Sequence, residues 1–147
     1  MATHDKGLDA LARFRHLARD QARLELAKVD KRVQGIAQAR AQLSRDLTAE
    51  RAVRGETPFD DAIAYGRFVE SARAREIDWQ RQERALDELR QQAARQLADC
   101  ERGVEQVERL LEAKRRDRRV LMERAEAKAF DELATIRFAA RRSEDPV

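Results

Sequence analysis

The residues with the most chemical potential in this chain are two histidines, one cysteine and several adjacent carboxylate pairs. A metal centre needs imidazole, thiolate or carboxylate ligands converging at set spacings. His4 lies near the N-terminus and His16 on the flank of a helical pattern, and neither has a cysteine or a second histidine at ligand spacing. Both read as ordinary surface histidines, and no metal is expected. Cys100 falls between Leu97 and Val104 at apolar spacing. A thiol there is a small apolar filler, and no histidine on the same face can lower its pKa. A single cysteine excludes an internal disulfide and fits a reducing compartment.

Asp60-Asp61, Asp87-Glu88 and Asp131-Glu132 are the carboxylate pairs. General acid–base work needs two such groups held in a cleft with displaced pKa values, and a rod of helices offers no cleft. There is no glycine-rich phosphate loop either. No catalytic residue, cofactor or enzymatic activity is expected. The densest basic cluster is Lys114-Arg115-Arg116-Asp117-Arg118-Arg119. It fits a solvated helix turn, phosphate contacts or docking on an acidic protein surface. Base-stacking aromatics are absent around it, so nucleic acid is not expected as a partner.

The elements that carry these residues follow from composition. Of 147 residues, 40% are charged and only 5% aromatic, with five Gly and two Pro. That is too little apolar bulk for a rounded core, and it is the composition of long helices burying one thin stripe. The 31 basic and 28 acidic residues leave a net charge of +3, with the signs interleaved along the chain. Interleaving of this kind solvates a helix face through i,i+4 pairs. The longest run without a charge is Val33 to Ala39, far short of a membrane span. The N-terminus lacks the apolar core of a signal peptide, and a cytoplasmic location is expected.

One helix is expected from about 7 to 54. Its seam, Ala22, Leu26, Val29, Val33, Ile36, Arg40, Leu43 and Leu47, alternates steps of four and three. Leu8, Leu11, Phe14, Leu17 and Leu24 drift off that register, as at a stutter or a wider contact. A turn is expected at about 55–57. Gly55 suits the left-handed residue after a helix end, Thr57 the N-cap and Pro58 the first helical position. Asp60 stands in the capping-box place, and both Asp60 and Asp61 complement the helix dipole.

The second helix is expected from about 58 to 142, with a frayed tail at 143–147. Its seam runs Tyr65, Val69, Ala72, Glu76, Trp79, Glu83, Leu86, Arg90, Ala93, Leu97, Cys100, Val104, Val107 and Leu111, then resumes at Leu121 and Ala125. Tyr65 and Trp79 fit core packing, whereas Phe68 beside the seam fits either a core contact or an exposed anchor. The fold class is all-α: one elongated antiparallel two-helix coiled-coil hairpin with a longer C-terminal helix. A turn centred on Gly55 would set Leu8 against Arg102 and leave roughly 40 residues, or about 60 Å, of the second helix without a partner. That stretch carries Val104, Val107, Leu111, Leu121, Phe130, Leu133, Ile136 and Phe138. It needs another protein, or a second copy, to cover it.

Three segments then carry a resemblance. They are Leu8-Asp9-Ala10-Leu11-Ala12-Arg13-Phe14-Arg15 with Ala22-Arg23-Leu24, Tyr65-Gly66-Arg67-Phe68-Val69, and Lys128-Ala129-Phe130-Asp131-Glu132-Leu133-Ala134 with Arg137 and Arg141-Arg142. With the length and the two unequal helices, the chain resembles the FliJ family of flagellar type III export proteins over nearly its whole length. The stalk proteins of virulence secretion are close cousins. The resemblance implies a protein similar to the central stalk of rotary ATPases. Such a protein binds the export ATPase ring, contacts the cytoplasmic domain of the export gate and escorts export chaperones. It implies association with the inner face of the cell membrane only through that apparatus. The ATPase-facing ends would include Arg13, Phe14, Phe130, Asp131, Glu132 and Arg137. Gln38 and Phe68 match the gate-facing surface, where relatives carry aromatics at the places held here by Arg45 and Ala49. The alternatives are a virulence-secretion stalk protein and a self-associating coiled-coil adaptor.

Overall fold

The computed structural model describes the backbone of residues 2–54 and 59–144, and the side chains of 5–53 and 62–144. Two helices account for all of it: α1, Ala2–Arg54, and α2, Phe59–Glu144. No strand occurs among the described residues. The helix α1 starts about five residues before the first apolar repeat, and α2 runs to Glu144 past the expected end at 142. Arg141 and Arg142 in the last turn of α2 complement the dipole there. The turn residues Gly55, Thr57 and Pro58, and 145–147 of the tail, lie outside the described residues. Gly66 and Gly103 are both inside α2, which continues through them.

Contacts gather into two units, Phe14–Arg102 and the set formed by 1–13 with 103–147. In the larger unit, cross-helix partners run in opposite order. Arg23 reaches Glu101 at 3.9 Å, Asp30 takes Arg90 at 2.8 Å, Arg40 takes Glu83 at 2.6 Å and Arg51 donates to the Tyr65 hydroxyl at 3.3 Å. As the α1 number rises the α2 number falls, so the helices are antiparallel. Between them lie Ala22, Ile36, Leu43, Ala72 and Leu86, all buried, with the other seam positions half-buried except the exposed Arg90. No large side chain is fully enclosed among the described residues. This is the thin core that a 4-3 stripe provides.

In the smaller unit, Ala12, Val104 and Val107 are buried, and Leu8 and Leu111 are half-buried. Asp5 accepts from Lys114 at 3.5 Å and also pairs with Arg118. This corrects the expected overhang. Residues 5–13 cover α2 as far as Arg118, so Val104, Val107 and Leu111 belong to the paired seam. The uncovered stretch begins at Arg119 and comprises 26 residues, about 39 Å of helix. Two things make the difference: α1 begins at Ala2 rather than near 7, and Asp5 meets Lys114 and Arg118, roughly ten residues further along α2 than pairing of Leu8 with Arg102 would put it.

Candidate partner-binding surfaces

Every described side chain from Arg119 to Glu144 is exposed. Met122, Ala125, Ala129, Leu133, Ile136 and Ala140 fall at helical spacing on one stripe, and Phe130 flanks it at 71% exposure. A helix with such a stripe and no cover is unusual for a free surface. Asp131, Glu132 and Arg137 lie on the same stretch, and no ion pair engages any of them among the described residues. Phe130 and Arg137 are seven residues apart and share a face, while Asp131 and Glu132 turn away from it. The Thr135 hydroxyl donates to the Asp131 carbonyl at 2.8 Å, so its polar atom is spent inside the helix. Arg13 is exposed in this unit.

Phe14 belongs to the other unit and is 64% exposed, on a stripe with Leu17 and Leu24 that faces away from the hairpin seam. Of the apolar drift noted near the N-terminus, Phe14, Leu17 and Leu24 therefore form an outward face, while Leu8 is half-buried. Gln38 is fully outside the seam and Phe68 is half-buried. They are not neighbours. The contact of Arg51 with Tyr65 and of Arg40 with Glu76 puts Phe68 level with about residue 48 of α1, roughly 15 Å along the helix from Gln38.

The basic cluster is largely answered within the chain. Lys114 and Arg118 are held by Asp5, and Arg116 lies 3.7 Å from Glu112. Of the cluster's cations, Arg115 and Arg119 have no ion-pair partner among the described residues. Cys100 is half-buried on the seam, with the Gln96 amide 4.0 Å from its Sγ. His16 is half-buried rather than fully solvated. Among the described residues no three His, Cys, Asp or Glu side chains gather as a metal site.

Reasoning along the sequence missed one cluster. Arg40, Glu76 and Glu83 each looked like an isolated break in an apolar seam, but they meet. Arg40 donates from Nη1 to Glu83 and from Nε and Nη2 to Glu76. The Glu76 bond first, and the Glu83 bond second, raise the Arg40 pKa above its ordinary value, against partial desolvation. The signal was available: two acids seven apart on one seam and a lone arginine on the other.

Comparison with known proteins decides the family. The family model described as flagellar FliJ protein matches residues 4–143. The chain belongs to the FliJ family. No curated protein and no solved structure gives a match. Membership makes this a flagellar export-related protein, of a family that is a structural component of the export apparatus. No described helix of this FliJ-family chain is long and apolar enough to cross a membrane.

Proposed function

We propose that this FliJ-family chain is a non-enzymatic, central-stalk-like coiled coil of the flagellar type III export apparatus. In this reading it binds the export ATPase ring through its helix ends, touches the cytoplasmic domain of the export gate near the turn, and escorts export chaperones. It works in the cytoplasm, peripherally at the inner face of the cell membrane, held there by the apparatus.

The observation that carries the reading is the uncovered end of α2. Among the described residues it presents Phe130, Leu133 and Ile136 exposed and carries Asp131, Glu132 and Arg137 without ion pairs. A helix with free apolar and charged groups can favour one conformation of a ring over another by contact alone. It needs no catalytic group to do so. Arg13 and Phe14 add contacts at the start of α1, and Gln38 and Phe68 are the proposed gate-facing pair.

The test is turnover of the purified cognate export ATPase with and without the folded chain. Saturating chain raises the rate, and a Phe130→Ser, Leu133→Ser double variant does not. No rise with the unmodified chain, at amounts where the ring is saturated, removes the reading.

A further inference from the structure

A groove runs between α1 and α2 in the larger unit, on the side where Arg51 meets Tyr65. Its floor is apolar, made of Leu43, Leu47 and Val69, and its rims carry Arg51 and Arg73. Arg40 and Glu76 also line it, but Arg40 is spent on Glu76 and Glu83, a triad that carries one net negative charge at the far end of the groove from Arg51. Arg51 and Arg73 differ from Arg40. Both are exposed, and among the described residues no carboxylate pairs with either. Arg51 donates only to a neutral phenol. The groove therefore combines the half-buried Leu47 and Val69, over the buried Leu43, with two guanidinium groups that no described carboxylate compensates, each suited to bidentate recognition of a carboxylate.

Geometry narrows the ligand. Arg51 is level with Tyr65, and Arg73 lies eight residues further along α2, roughly 12 Å away along the groove. That is close to the rise of one heptad of helix, about 10.5 Å. Acidic residues seven apart on an incoming helix would meet the two arginines in turn, while the apolar residues between them sit on Leu43, Leu47 and Val69. We propose that this groove docks an acidic amphipathic helix of a partner protein, with carboxylates one heptad apart received by Arg51 and Arg73.

The site is separate from the proposed gate-facing residues. At 100° per residue, Arg51 and Gln38 are roughly 140° apart around α1, and Arg73 and Phe68 roughly 140° apart around α2. It does not depend on the uncovered end of α2.

The test uses the full chain and three labelled probes read by fluorescence anisotropy. One is a synthetic amphipathic peptide with Leu on its apolar face and Glu flanking it at heptad spacing. The second has Lys in place of each Glu, and the third is a DNA oligonucleotide. The Glu peptide binds. An Arg51→Glu, Arg73→Glu variant loses about tenfold or more in affinity for it and gains affinity for the Lys peptide. An Arg81→Glu, Arg95→Glu variant, with the same change of charge at exposed positions of α2 outside the groove, binds the Glu peptide as before. Because both arginines are exposed, helicity by circular dichroism stays the same in the charge-reversed chain. The reversal of preference separates lost contacts from lost fold. Absent binding of the Glu peptide, equal binding of both peptides, indifference to the charge reversal, or binding of the oligonucleotide in preference to the peptide each overturns the proposal.

Discussion

Arg40 of α1 donates to Glu83 of α2 at 2.6 Å and, from its other edge, to Glu76 one heptad earlier. All three groups are about one-third exposed, so water still screens them. Their value lies in position. A seam of Leu, Val and Ala tolerates sliding by a heptad, but an arginine that must find two glutamates does not.

Exchanging Arg40 for Glu puts three carboxylates on one stretch of seam. The thermal midpoint falls further than in Arg40→Met, where only the pairing is lost. Replacing Arg40, Glu76 and Glu83 together by Leu raises the midpoint and blurs register. Disulfide mapping against the native Cys100 reads the register directly. Arg23 and Glu101 are partners, so a cysteine in place of Ala22 cross-links to Cys100 in the native chain and one in place of Val29 does not. In the triple Leu variant both positions cross-link.

The paired seam now includes Val107, which is only 4% exposed. Val107→Ala costs about 1–2 kcal/mol, while Leu121→Ala, on the uncovered stretch, changes stability by no more than about 0.5 kcal/mol. Urea unfolding of the two variants checks this. Equal costs would mean that residues 5–13 do not cover α2.

Loss of the Asp5 carboxylate frees Lys114 and Arg118. Asp5→Asn destabilises by no more than about 1 kcal/mol, because the partners are substantially exposed. The difference shrinks in high salt. Thermal melts at low and high ionic strength provide the measurement.

Gly35 sits inside α1 with no positive φ, and a Cβ added there meets nothing within 4 Å. Gly35→Ala therefore stabilises the chain by about 1 kcal/mol through helix propensity alone. Gly66→Ala in α2 behaves the same way for the same reason. The denaturant midpoint is the readout.

The two helices were legible in the sequence, because each rests on local information. A 4-3 apolar repeat defines a buried stripe wherever it occurs, and the described helices, Ala2–Arg54 and Phe59–Glu144, carry the two expected repeats. The family was legible from short motifs spread along the chain. Pairing was not. Antiparallel registers that differ by one heptad bury nearly the same apolar area, and only side-chain matches across the seam tell them apart. Arg40 between Glu76 and Glu83, and Asp5 between Lys114 and Arg118, are matches between residues far apart in the chain. They bring Val104, Val107 and Leu111 under the start of α1 and leave α2 uncovered from Arg119. Sequence determined that α2 is longer than α1 and carries apolar residues along its whole length. Tertiary contacts decided where its exposed stretch begins, because that depends on which residues far apart in the chain meet across the seam.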